Sequence, residues 1–83
     1  MRYDWGIVLP EEQPLIEKFE DEVLPFTKKH GPEIGEKAMQ GDVVCEEIIR
    51  RQHLFVSGLP EKRPENFKLL VKALKTWDQR RFH

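Results

Sequence analysis

Apolar positions along the chain keep two rhythms. Near the start, Tyr3, Trp5, Ile7 and Leu9 alternate with Asp4, Gly6 and Val8. A period of two belongs to extended backbone, and Pro10 closes the run. The segment reads as an arm, residues 1–10, with four large side chains on one edge. From Pro14 onward the period lengthens to that of a helix. Leu15, Ile16, Phe19, Val23 and Phe26 share one helical face, which predicts a first helix over about 14–30. Pro14 suits its first turn, where the missing N–H costs nothing. Pro25 lies inside it, removing a bond to the Asp21 carbonyl and crowding it, so a kink or break is expected near Leu24. Lys28, Lys29 and His30 suit the negative end of a helix and Gly31 its stop.

Pro32 then opens a short second helix, about 32–40, with Ile34 and Ala38 inward and Gly41 as its end. Asp42 is a strong N-cap for a third helix over about 42–57. Val44, Cys45, Ile48, Ile49, Gln52, Phe55 and Val56 make its wide face, while Val43 and Leu54 sit on the opposite side. A helix apolar on two sides reads as the central one of a small bundle. Gly58 and Pro60 stop it. Pro64 opens the last helix, about 64–81, with a core stripe of Phe67, Leu70, Val71, Leu74 and Trp77. The expected fold is therefore all-α: a small four-helix assembly with a proline-kinked first helix and an extended N-terminal arm. At 83 residues it forms one domain, 1–83.

The run Ala38, Gly41, Asp42, Cys45, Ile48 and Ile49 resembles the inter-helix junction of α-solenoid repeats such as the Sel1-like ones. Solenoids need about three units for stability, and one is present. What the resemblance implies is an αα-hairpin.

Composition narrows the chemistry. The single cysteine, Cys45, has no disulfide partner in the chain, and a small domain without disulfides reads as cytoplasmic. The apolar stretch from Trp5 to Leu9 is too short for a signal-peptide core. No apolar run approaches the ~18 residues of a membrane span. Cys45 and His53 lie on similar helix faces, but eight residues at ~1.5 Å each put them ~12 Å apart, too far to share a metal. No CxxC or HxxxH spacing occurs, so no metal site and no cofactor is expected. Cys45 among Val44, Ile48 and Ile49 is an inert thiol rather than a nucleophile. Thr27, Ser57 and Thr76 have no neighbouring histidine. Glu46–Arg50 and Glu47–Arg51 read as helix-supporting pairs at i,i+4. No catalytic residue is assigned, and the chain is not expected to be an enzyme.

Charge changes the picture most. The chain holds 14 Lys+Arg against 15 Asp+Glu, a net charge of −1. Residues 1–42 carry −5 and residues 43–83 carry +4. Either the acidic first helix lies against the basic last one, or two patches of opposite sign face solvent and steer partners. A helix-turn-helix reader is disfavoured, because Asp42, Glu46 and Glu47 would meet phosphate where base contacts are usually made. Lys68, Lys72 and Lys75, flanked by Lys62, Arg63, Arg80 and Arg81, are the better candidates for phosphate contact. Tyr3, Trp5, Ile7 and Leu9 are the candidate partner-binding residues, since aromatic side chains anchor interfaces. The expected function is a small non-catalytic protein-binding module: an adaptor, an assembly factor or an inhibitor of a larger complex, of the kind bacterial and phage accessory proteins provide. The alternative is an auxiliary nucleic-acid binder using the last helix. The arm is expected either to cover the helix face near Val43 and Leu54 or to cross to a partner, a second copy of the chain included.

Overall fold

A computed structural model describes residues 5, 6 and 8–81. Among them it shows three helices and no strand. The first, α1, spans residues 13–39 and follows a 3₁₀ turn at Pro10–Glu12. The second, α2, is Val43–Ser57. A 3₁₀ turn at Pro60–Lys62 leads into α3, Arg63–Arg81. The all-α expectation holds, and the four-helix one does not, because the two expected helices at 14–30 and 32–40 are one.

The merger has a local cause. Pro32 sits inside a run of helix at Leu24–Met39. A proline there forfeits the bond to the Lys28 carbonyl. Ile34 and Ala38 lie beyond it, Ile34 buried and Ala38 packed against the core, and they carry the helix through the gap. Gly31 is therefore an interior residue rather than a stop. Pro25 does not end the helix either. The disturbance expected near Leu24 takes the form of a π segment at Phe19–Val23, directly before it. A wider turn gives the proline ring room against the preceding carbonyls and sets Phe19 and Val23 both into the core.

The α1–α2 corner follows its sequence signals closely. Gly41 takes φ +94°, a conformation that favours glycine. The Asp42 carboxylate accepts from the amides of Val44 at 3.0 Å and Cys45 at 3.3 Å, capping α2. Glu47 binds both Arg51 and Arg50, the latter at 3.9 Å. The expected Glu46–Arg50 pair is not formed among the described residues.

Register shows how the helices lie. Glu12 and Arg63, 51 residues apart, are paired, and Phe26 and Trp77 meet edge-to-face at the same separation. Constant separation means that α1 and α3 run parallel. Between α2 and α3 the separation falls from 38 at Asp42–Arg80 to 15 at Arg51–Asn66, so those two are antiparallel. The result is an up-down-up bundle, 39 × 21 × 21 Å, whose long dimension matches α1 at ~1.5 Å per residue. One end, the arm end, holds the starts of α1 and α3. The other, the hairpin end, holds the α1–α2 corner.

The core stripe of Ile16, Phe19, Val23, Ile34, Cys45, Ile48, Phe55, Phe67, Leu70, Leu74 and Trp77 is buried. Val71 is only half-buried and Ile49 is 47% exposed. Val43 is 75% exposed, so the second apolar side of α2 stays open at its start. Among the described residues, the arm does not cover it. Trp5 instead stands at the opposite end, edge-on to Phe19 and Phe55 with centroids 5.6 and 5.4 Å away. The arm also departs from simple alternation. Gly6 at φ +65° breaks the extended run, and Val8 rather than Leu9 joins Trp5 against the core.

Candidate functional site

The residues singled out from sequence do not converge on one place. Tyr3 and Ile7 lie outside the described residues. Trp5 is half-buried in its own core, and Leu9 is 39% exposed. Lys68, Lys72 and Lys75 are exposed along α3. Arg80 is drawn away from them, bonded to both Asp42 oxygens at 3.4 and 3.1 Å. That ion pair and the two amides at the cap hold the Asp42 carboxyl below the usual carboxylate range. Arg81 closes α3.

Cys45 is fully buried. Burial first, and then the neighbouring Asp42 carboxylate, push its thiol up from the usual value. A thiol that stays protonated at neutral pH is a poor nucleophile and ligand. Among the described residues no group of three or more His, Cys, Asp or Glu could hold a metal ion. No helix of the described residues is long and apolar enough to cross a membrane.

Two features emerge that the sequence did not single out. The first is a groove of about 350 Å³ between α1 and α2. Thr27, Gly31 and Ile34 form one wall; Ile48, Ile49, Gln52, His53, Val56 and Ser57 form the other. None of these is Asp, Glu, Lys or Arg, in a chain that is 35% those four residues. The Thr27 hydroxyl donates to the Leu24 carbonyl at 3.2 Å and is satisfied within its own helix. Gly31 makes the notch. A Cβ built there meets nothing within 4 Å. Read as a helix stop, Gly31 gave no sign of this; as an interior glycine it lowers one wall.

The second is a buried cluster at the arm end. Arg63 Nη1 donates to Glu12 Oε2 at 2.6 Å, with side chains 3% and 2% exposed. Its Nη2 donates to the Trp5 carbonyl at 3.0 Å. Its guanidinium lies 5.4 Å from the Trp5 ring centroid. One group thus fastens the arm, the start of α1 and the start of α3. A sequence signal for this existed. Leu9-Pro10-Glu11-Glu12-Gln13-Pro14 recurs as Leu59-Pro60-Glu61-Lys62-Arg63-Pro64. Both copies fold into the same turn, with the Glu12 amide donating to the Leu9 carbonyl and the Lys62 amide to the Leu59 carbonyl, each at 2.9 Å. Two matching turns start two parallel helices side by side, which brings Glu12 to Arg63.

No protein-family model matches the chain, and no curated protein or solved structure matches it.

Proposed function

We propose that this chain is a small non-catalytic protein-binding module, an adaptor, assembly factor or inhibitor of a larger complex, working in the cytoplasm. The groove between α1 and α2, lined by no Asp, Glu, Lys or Arg, carries the reading. Interface cores are depleted in charge relative to the rest of a protein surface, and this groove has that composition on a heavily charged chain. Its shape suits an amphipathic helix laid between two helices, anchored by apolar side chains a turn apart. Ile49, 47% exposed, stands ready to be covered. Trp5 serves this module from within, since it steadies the ends of the helices rather than offering an anchor outward.

The test fills the groove without harming the fold. Gly31→Leu adds a side chain into open space and replaces a poor helix former by a good one, a gain of up to ~1 kcal/mol. Affinity capture of the tagged chain from its own lysate, with and without nuclease, should yield a protein partner that Gly31→Leu loses while its melting temperature holds or rises. A partner retained by Gly31→Leu would move the binding site elsewhere.

The lysine stripe supports a second reading, an auxiliary nucleic-acid binder. Lys68, Lys72 and Lys75 are exposed, and no ion pair involves them among the described residues. Against it, Arg80 is taken by Asp42, and the acids of α1 stand beside the stripe. Duplex binding that falls steeply with salt is its signature.

A further inference from the structure

The face formed by α1 and α3, distinct from the proposed groove, carries two ladders of opposite charge. Glu17 and Asp21 are one turn apart on α1, and Lys68 and Lys72 are one turn apart on α3; all four are exposed. Because the two helices run parallel with partners 51 residues apart, Glu17 is level with Lys68 and Asp21 with Lys72. Yet no ion pair joins these acids to these lysines among the described residues. On outer faces of neighbouring helices such side chains diverge. The charges are level in height and opposite in sign, and within the chain Glu17 only accepts a long hydrogen bond from Gln13 Nε2, at 3.4 Å.

Between the ladders runs a second groove, of about 330 Å³, floored by Phe26, Phe67, Val71 and Leu74. Glu22 rims it from α1 and Lys75 from α3, repeating the polarity of the ladders, while Lys18 and Asp78 close its two ends with opposite signs.

We propose that this face binds a second copy of the chain, in a parallel two-fold dimer. A two-fold axis running along the bundle in the plane of contact exchanges the helices at constant height. It sets α1 of each copy against α3 of the other, with Glu17 facing the other copy's lysine at the height of Lys68, and Asp21 likewise at Lys72. A two-fold axis across the bundle would instead place acid against acid. The parallel arrangement is the one in which every ladder meets its complement, and it closes, giving a dimer rather than a filament. Charge sets orientation and partner here, and the apolar floors meeting across the seam supply area.

The test is charge exchange, read by sedimentation equilibrium of the full chain at roughly 0.05 M and 0.5 M salt, where screening lengths differ about threefold. The wild type should be dimeric at low salt near 0.1 mM (roughly a hundredfold above a Kd of about 1 μM) and should dissociate at high salt. Lys68→Glu with Lys72→Glu, and separately Glu17→Lys with Asp21→Lys, should each weaken the dimer by roughly tenfold to several hundredfold, since each turns exposed pairs into like-charge contacts on both sides of the axis. Mixing the two variants should restore a dimer, now of one copy of each. If either variant loses its helical circular-dichroism spectrum, Lys72→Glu and Asp21→Lys alone carry the same exchange. A monomeric wild type at low salt, a dimer indifferent to both variants, an open polymer, or a mixture that stays monomeric would overturn the proposal. So would a monomer that binds a DNA duplex and loses it with the lysine variant, which would assign the stripe to phosphate.

Discussion

Among the described residues, two ion pairs fasten α3 to the rest of the bundle, one at each end, in opposite environments. At the arm end, Glu12 and Arg63 are 2% and 3% exposed. At the hairpin end, Asp42 and Arg80 are 18% and 53% exposed. The chemistry is the same, carboxylate against guanidinium, so the difference is burial. A pair in water gains little, because solvent screens it and already satisfies both groups. A buried pair has given up that solvation, so each member depends on the other. The arm end is therefore cooperative, with three chain segments sharing one guanidinium. The hairpin end is modular, its turn set by Gly41 and the Asp42 cap whether or not Arg80 arrives.

The strongest way to break this contrast is at Arg63. Arg63→Ala strands the Glu12 carboxylate in the core and should cost about 3–5 kcal/mol, a large part of what a domain of this size has, at ~0.05–0.15 kcal/mol per residue. Urea denaturation followed by circular dichroism measures it. Glu12→Leu together with Arg63→Met removes both charges and should recover most of the loss, because apolar replacement of a buried pair is often neutral. A double variant as unstable as Arg63→Ala would show that the ion pair is not the source of the cost.

Trp5 sharpens the comparison from the aromatic side. Its ring meets Phe19 and Phe55 edge-on, and it is half-buried. Trp5→Ala should cost about 2 kcal/mol, less than for a wholly buried tryptophan. Met39 at the hairpin end is 90% exposed, and Met39→Ala should stay within about 0.5 kcal/mol. Equal effects would erase the distinction between the two ends.

The hairpin end was the more legible in sequence, for the same physical reason. Its signals are local. Gly41 and Asp42 announce a turn and a cap within a few residues, and α2 begins one residue from where it was expected. The arm end depends on contacts 51 residues apart. A charged residue such as Glu12 reads as surface unless its partner is known, and the repeated Leu-Pro-Glu turn that delivers Arg63 shows only when two distant segments are compared. Pro32 misled differently. Proline and Gly31 together read as a helix boundary, but Ile34 and Ala38 anchor the same helix beyond them, and packing outweighs one missing bond. That misreading also hid the groove, since Gly31 lowers its wall only as an interior residue. The π segment at Phe19–Val23 has no signal in the periodicity of its residues.

A smaller effect is expected at the cap. Asp42→Ala removes the acceptor for the Val44 and Cys45 amides and should cost about 1 kcal/mol. Asp42→Asn keeps a capping oxygen and gives up the charge, so it should retain much of that. Thermal melts of the two variants separate the cap from the ion pair. If Asn proved as damaging as Ala, the charge on Asp42, and with it Arg80, would matter more than the local cap, and the hairpin end would be less modular than its geometry implies.

Arg80→Ala should be the mildest, about 0.2–1 kcal/mol at neutral pH, and its clearest reading is the acid limb. Arg80 is the foremost cause of the lowered Asp42 pKa, with the two amides at the cap adding to it. A carboxylate whose folded pKa lies below its unfolded value of ~3.9 contributes stability that is fully present above that value. The contribution fades as pH falls through the folded pKa, where the proton finally binds the native state too. Without Arg80 the Asp42 pKa should rise toward the ordinary value, with partial burial pushing it up against the pull of the Cys45 and Val44 amides. The acid loss attributable to Asp42 then becomes smaller and is complete at higher pH, while its onset stays at the unfolded value. Carbon-detected NMR titration of the Asp42 carboxyl reads this directly. Salt gives a second handle, because an exposed pair weakens with ionic strength while the buried Glu12–Arg63 pair does not. Raising salt on the wild type should therefore move the Asp42 titration in the same direction as Arg80→Ala, while leaving the stability lost in Arg63→Ala unchanged. An Asp42 titration indifferent to both would mean that the amides alone hold it, and that the surface ion pair contributes nothing to the hairpin end.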